Sequence, residues 1–469
     1  MSHQPEPRIA AVIATTSLPM AMAAIDDLAL TFALPAIQRE LGADIVQLSW
    51  VVNGYTLAFA SLMLPLAALG DRFGRRRVFL FGSGLFAVAS VAAALAGSIH
   101  ALIAARIVQG AGAAAIVPLS LTLLSSAVPE ARRPLAVGVW SGINGLGIAV
   151  GPLLGGVIVD GLHWSGIFWM NLPLGVVAIM AALRILPKSE RAGTRFDLLG
   201  SLAAIGFVLP LSWALASGQE HTGGSAIVVG GLAAAAASLT VLVVRGMRDP
   251  SSLLPVRRFG DRAFVATNVA GLLASAGVFG AIFLLSQYLQ VALGHTALQA
   301  GLLAAPWTLA PMVIAPLAGL AVQHIGARPV LILGALCQAT ALTWIDNVVA
   351  PQLDYPAILT PLALAGVGMG LTFAPLSAAV MRKRPEADRA LAAAIHSCLR
   401  QLGMALGVAV ATAAFLAGGA YLPGPAFVAG LQRALPICIA LVVASAMASA
   451  CLPGVTRPAS PGPTPPTGR

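Results

Sequence analysis

The sequence predicts an all-α protein that crosses a membrane many times, and three observations carry that prediction. Of 469 residues, 58% are hydrophobic and only 9% charged, with a mean hydropathy of +0.90; a soluble domain runs at roughly 45–50% apolar and about 25% charged. The apolar residues fall in runs of helix length, and one crossing needs on the order of 20 residues. Those runs lack the period-2 alternation of barrel strands, so helices rather than a barrel satisfy the backbone in hydrocarbon.

Taken in order, spans are expected near residues 10–37, 48–69, 78–97, 101–124, 135–159 and 165–186. Two follow near 197–217 and 225–245, and six more near 263–290, 298–322, 329–347, 355–381, 390–417 and 434–452. About fourteen helices result, grouped six, two and six. Residues 1–186 are expected to form one bundle, 187–262 two additional helices with their linkers, and 263–452 a second bundle. The Pro-rich 453–469 reads as a disordered cytoplasmic tail. The first span contains Asp26 and Asp27 after a short polar lead, and reads as an uncleaved helix rather than a signal peptide.

Charge tests this count. With the N-terminus in the cytoplasm, all but four of the 27 Lys and Arg fall on the cytoplasmic side; Arg39 and Arg433 lie outside, Arg106 and Arg400 within spans. That is the positive-inside pattern, and it puts both termini in the cytoplasm. The net charge of +10 therefore reports topology, and a nucleic-acid partner is not expected.

No metal cluster, nucleotide loop or nucleophile elbow is present, so an enzyme is not expected, and no loop is long enough for the signalling domain of a sensor. Cys337, Cys398, Cys438 and Cys451 lie in helices without CxxC spacing and read as free thiols. His396, the one histidine within a span, reads as a packing residue.

The residues that can carry chemistry sit in four spans and one loop. Between the second and third spans lie Asp71, Arg72, Gly74, Arg75, Arg76 and Arg77. Gly74 permits a tight turn, and an acid at a helix end can sit against the positive N-terminus of another helix, which makes this loop a candidate latch. In the fifth span, Gly138, Gly147, Gly151, Gly155 and Gly156 let neighbouring helices approach, and Pro152 supplies a bend. Arg106 in the fourth span is costly unless paired, and Gln109 lies one turn on, on the same face. Arg400, about mid-depth in the thirteenth, is open to reading as a structural ion pair or as a pathway residue.

Asp26 and Asp27 are the two carboxylates well inside a span, about 100° apart around the helix. Counting about 1.5 Å per residue from the span ends puts Asp26 at the depth of Arg106, so a pair is expected. An acid that gains and loses an Arg partner as helices move can load and release a proton. A weak, adaptable site for small molecules would be lined by Tyr55, Gln109, Trp140, Asn144, Tyr288, Trp307 and Arg400. An internal repeat adds to this: "GAGAAAIVPLS", ending at Ser120 in the fourth span, has an echo in "GVGMGLTFAPLS", ending at Ser377 in the twelfth. Transporters place substrate between such repeats.

The run Asp71, Arg72, Gly74, Arg75, Arg76 resembles the loop motif of the major facilitator superfamily, with Ala67 where that motif has glycine. The fifth-span glycine spacing, every fixed position present, resembles the antiporter motif of its drug-exporting branches. Arg106, Gln109 and Gly110 resemble the fourth-span motif, and Asp26 ahead of Pro35 the first-span motif. Residues 167–175, 288–306 and 400–403 are similar to the fourteen-span drug:proton antiporter branch, and the likeness covers nearly the whole chain. Departures are Trp164, Ser165, Gly166 for Trp-Arg-Trp, and Leu28 and Thr31 for the first span's Thr and Asn.

The resemblance implies the major facilitator fold, two six-helix bundles plus two extra helices. It implies a monomeric, proton-coupled antiporter that exports small amphipathic or hydrophobic compounds, drugs or antibiotics, cationic ones included, by alternating access. Its energy source is the proton gradient, with no cofactor. The alternative is a dedicated exporter of one endogenous metabolite or antibiotic. Asp26, with Arg106 and Asp27, takes the proton-coupling role, and Asp71 and Arg75 stabilise closure of the cytoplasmic side. The expected location is the bacterial plasma membrane, and two Lys against 25 Arg fit a GC-rich bacterial genome.

Overall fold

A computed structural model describes residues 9–187, 197–217, 226–249, 252–254, 256–353, 355–381 and 386–453. Among these residues every regular element is a helix. Arg8, Lys188, Arg191, Arg195, Arg382, Lys383, Arg384 and the tail from 454 onward, all of which entered the charge and tail expectations, lie outside the described residues.

The first bundle comprises α1 (Ile9–Leu41), α2 (Ile45–Phe73), α3 (Arg75–Ala94), α4 (Ile99–Ala127), α5 (Arg133–Gly161) and α6 (Asn171–Ile185). An apolar pair follows, α7 (Leu198–Ser217) and α8 (Ala226–Arg248). The second bundle comprises α9 (Arg262–Gln287), α10 (Ala297–Ile325), α11 (Ala327–Val348), α12 (Tyr355–Met381), α13 (Glu386–Gly418) and α14 (Pro425–Ala450). Among the described residues, thirteen helices are long and apolar enough to cross a membrane, and α7 is an apolar helix beside them.

The structure departs from the expected spans where the backbone must bend. The sixth span is broken: a short helix, Gly166–Trp169, precedes α6, with Met170 at the junction. The ninth ends in a π-helical turn, Tyr288–Ala292. The expected loop between the second and third spans is almost wholly helical. Arg75, Arg76 and Arg77 form the first turn of α3, and Gly74 alone breaks the path, with φ 104°, a conformation that glycine adopts without steric cost.

Each bundle repeats one contact scheme. In the first, α1 packs on α5 and α6, α2 on α4, and α3 on α4 and α6; in the second, α9 packs on α13 and α14, α10 on α12, and α11 on α12 and α14. Adding eight to each helix number converts one scheme into the other, so the repeat glimpsed at Ser120 and Ser377 extends through the fold. The bundles meet through α5 with α10 and through α2 with α13, pairs that exchange under the same operation. Helix α7 packs on α2 and α13 from outside, and α8 packs on α7. The pair is pinned by Asp197, whose carboxylate accepts from Gly200 N (2.9 Å), Arg245 Nε (2.7 Å) and Leu253 N (2.9 Å).

The join between bundles is lopsided along the membrane normal. One buried apolar cluster runs through both at the end away from Arg75–Arg77, including Ile37, Leu48, Phe168, Leu285, Tyr288 and Phe427. There a side chain on Gly156 of α5 would meet Leu298 Cα of α10 at 2.5 Å, and one on Gly301 would meet Pro152 O at 2.6 Å. Asp160 of α5 accepts from the amides of Ala297 (3.1 Å) and Leu298 (2.9 Å), two of the donors that the first turn of α10 leaves without intrahelical partners. Toward the basic end, Gly138, Gly142 and Gly145 of α5 face open space, and Val313, Leu317 and Leu320 of α10 are exposed.

Candidate functional site

Glycine packing brings α1, α2, α4 and α5 close enough for their polar side chains to meet. Gly147, Gly151 and Gly155, four residues apart, form a stripe against α1: a Cβ at Gly155 would sit 2.6 Å from Ala29 O, and one at Gly151 2.9 Å from Leu28 Cβ. That stripe backs residues 21–29 of α1, which contain both aspartates. Gly110 lets α4 lie directly on the backbone of Tyr55 in α2.

Arg106 is fully buried, and two of its three guanidinium nitrogens donate hydrogen bonds. Nη1 donates to Asp26 Oδ2 and to Gln109 Oε1 (2.7 Å), and Nε donates to Val51 O (3.2 Å). The guanidinium carbon lies 4.2 Å from the centre of the Tyr55 ring, a cation–π contact. Nη2 reaches Asp27 Oδ1 at 3.9 Å, an ion pair without a hydrogen bond.

Asp26 is equally buried. Besides Arg106 it accepts from Gln109 Nε2 (3.0 Å) and Asn171 Nδ2 (2.6 Å), and both amides also reach Ser90 Oγ (2.9 and 3.3 Å). Three donors converge on one carboxylate, an arrangement built for its ionised form. Asn171 begins α6 just past the break at Met170, so the interruption of the sixth span places a polar side chain in the core.

Asp27 points elsewhere. Its side chain keeps 16% of its surface exposed and lines a cavity of about 130 Å³ between the bundles. Tyr55, Phe59, Met63 and Asn144 of the first bundle share that wall; Phe279, Arg400, Gln401 and Met404 of the second face them. The two aspartates, about 100° apart around α1, thus serve separate environments.

Of the expected pathway residues, Tyr55, Asn144 and Arg400 line the cavity, and Gln109 belongs to the buried network behind it. Trp140 is partly buried and donates to Ser120 Oγ (3.2 Å). Two expectations are corrected. Tyr288 is fully buried, its hydroxyl donating to Ala350 O (2.6 Å), and Trp307 is 3% exposed within the apolar cluster; neither lines the cavity, because large aromatics gain more by filling the join between helices.

The basic turn makes local contacts. Arg75 pairs with Asp71 at 2.7 Å, both partly exposed, and Arg72 lies over the Phe73 ring at 5.3 Å. Arg76 donates to Leu183 O at the end of α6. Gly147, Gly151, Pro152, Gly155 and Gly156 of the glycine motif all lie in helix contacts, whereas Gly138 does not.

Sequence reasoning missed Ser90, Asn171 and Asp160. Each carried a weak signal: a serine among alanines, an asparagine at a helix break, an acid at a span end.

The sequence profile described as the Major Facilitator Superfamily matches residues 16–244 and 267–468. A cephamycin export protein of Amycolatopsis lactamdurans is 35% identical, covering 94% of this chain and 95% of that protein. A methylenomycin A resistance protein of Streptomyces coelicolor is 33% identical, with 83% and 82% covered, and a multidrug resistance protein of Mycobacterium tuberculosis 35% identical, with 84% and 74% covered. Among solved structures, the xylose transporter XylE of E. coli, in a partially occluded inward open conformation, superposes with TM-score 0.64 at 14% identity, over 94% of this chain and 96% of that one, a likeness of fold.

Proposed function

The chain belongs to the Major Facilitator Superfamily, and from that premise we propose that it is a proton-coupled antiporter that exports small amphipathic compounds, antibiotics or drugs, across a bacterial plasma membrane. Relatives named for antibiotic export and resistance support the cargo class. The observation that carries the coupling is the fully buried Asp26–Arg106 pair lying directly behind a cavity that both bundles line.

Three donors, the Arg106 guanidinium among them, occupy the oxygens of Asp26. To load a proton, Asp26 must lose Arg106, which requires α1 and α4 to shift against each other. Asp27, on the next residue of the same helix, carries that shift into the cavity, 3.9 Å from the same guanidinium. Substrate and proton then compete for one set of charges: substrate binds while Asp26 is ionised, and an external proton replaces it after the bundles rock.

The state described fits the cytoplasm-open half of that cycle. The apolar cluster, the α5–α10 glycine contacts and the Asp160 cap all lie at the end away from the basic turn, which in this reading is the periplasmic end, and both termini are cytoplasmic. Asp71 and Arg75 stand ready as the cytoplasmic latch, their contacts now confined to their own turn. The unit of transport is the monomer, since each bundle supplies one wall of the cavity.

The test is Asp26→Asn in proteoliposomes under an imposed pH gradient. The variant keeps most hydrogen bonds and inserts normally, and gradient-driven export is lost; export at the wild-type rate would sink the coupling role. A second reading, a dedicated exporter of one metabolite, is favoured by relatives named for single antibiotics. Resistance profiling of an expressing strain against a compound panel separates it from broad export.

A further inference from the structure

Among the lining residues of the central cavity, two carry charge: Asp27 on the first bundle and Arg400 on the second. Their circumstances differ from those of the pair behind them. Arg106 is answered by Asp26. Arg400 has no carboxylate within ion-pair distance among the described residues, its Nε is buried without a hydrogen-bond partner, and its guanidinium lies 5.0 Å over the Phe373 ring. Its neighbour one turn back, His396, is turned aside and donates from Nδ1 to Asn268 Oδ1 (3.2 Å). An unanswered guanidinium at the wall of a largely apolar cavity is costly unless a ligand supplies an anion. Asp27, in turn, shares Arg106 only at 3.9 Å and offers no other described ion pair.

From this distribution we propose that the cavity takes an amphipathic zwitterion, its basic group at Asp27, its acidic group at Arg400 and its apolar body against Phe59, Met63 and Met404. The inference rests on the exporter reading above and sharpens it, since that reading admits amphipathic compounds of any charge. A simple cation would gain Asp27 but meet Arg400 and Arg106; a simple anion would gain Arg400 but meet Asp27. One molecule carrying both groups satisfies both walls. Because the walls belong to different bundles, such a ligand also ties them together, which a compound with one charge does less well. Gln401 and Ser397, flanking Arg400 on the cavity side, can each add a hydrogen bond to the acidic group.

The experiment measures direct binding to the purified full-length protein, without any gradient, of three probes on one scaffold: an aryl-alkyl amine, the matching aryl-alkyl carboxylic acid, and the amino acid carrying both groups. Wild type should bind the zwitterion at least about tenfold more tightly than either partner, the value of one charge-assisted contact. Arg400→Gln should erase the preference over the amine, and Arg400→Lys should retain most of it; Asp27→Asn should erase the preference over the acid. Equal affinities for the three probes in wild type would overturn the proposal, as would an Arg400→Gln variant, eluting as a folded monomer, that weakens amine and zwitterion alike. Gradient-driven uptake of the same probes is read separately. Selective binding without uptake would refute the antiporter and keep the site, and uptake blind to charge would refute the site and keep the antiporter.

Discussion

In the first bundle, Arg106 and Gln109 project from α4 into the core and meet Asp26, Asn171 and Ser90. In the second, the repeat that aligns Ser120 with Ser377 puts Ala363 and Gly366 at the same places on α12. There Gly366 lies against the carbonyls of Pro306 and Trp307, where a Cβ would come within 2.7 Å of either, so backbone contact fills the space that a polar network fills in the first bundle. Asn268, His396 and Arg400 of the second bundle sit on α9 and α13, and Arg400 faces the cavity. The same helix scheme thus builds a sealed ion pair on one side and an unanswered cation on the other. A buried pair holds itself together and can only be switched; an unanswered charge recruits something from outside.

The largest expected effect breaks the sealed side. Arg106→Met leaves Asp26 buried without its cation, and should destabilise the folded protein by about 3–5 kcal/mol, read as an earlier thermal unfolding in detergent. The double variant Asp26→Asn/Arg106→Met should recover much of that loss, because the fully buried position 26 then carries no uncompensated charge. Unfolding of the single variant at the wild-type temperature would mean that the pair is not what holds α1 to α4.

Asp160→Asn tests the join between the two sides. The neutral side chain weakens a cap on the first turn of α10, a loss of about 1 kcal/mol, and tips the protein toward opening at that end. Spin-label distances between the ends of α5 and α10 should lengthen and broaden; an unchanged distribution would leave the glycine contacts as the sole fastening. The smallest effect belongs to the second bundle. Asn268→Leu removes the bond to His396 and should cost about 0.6 kcal/mol, the average for such bonds in a membrane, seen as a slight shift in unfolding temperature. A loss comparable to that of Arg106→Met would erase the contrast between the bundles.

How much of this was legible in the sequence depends on the interaction that fixes each residue. Spans are imposed by the hydrocarbon itself, which demands continuous apolar length, so thirteen of the fourteen expected could be read directly among the described residues. The approach of Asp26 to Arg106 was legible because two costly groups at one depth have few other partners. Ser90 and Asn171 were not, since a small polar residue in a membrane helix is as often satisfied by its own backbone as by a neighbour. The direction of Asp27 depended on which face of α1 meets α5, which the glycine stripe settles only once both helices are placed. Tyr288 and Trp307 misled because a large aromatic in a span fits a site and a packed seam equally well.

Gly138, Gly142 and Gly145, where an added Cβ would meet nothing within 4 Å, give the half of α5 nearer the basic turn clearance where its other half has fit. A lever needs both: one end seated closely enough to act as a fulcrum, the other slim enough to swing without striking its surroundings. In the exporter proposed above, the bare face of α5 would be the room left for that stroke.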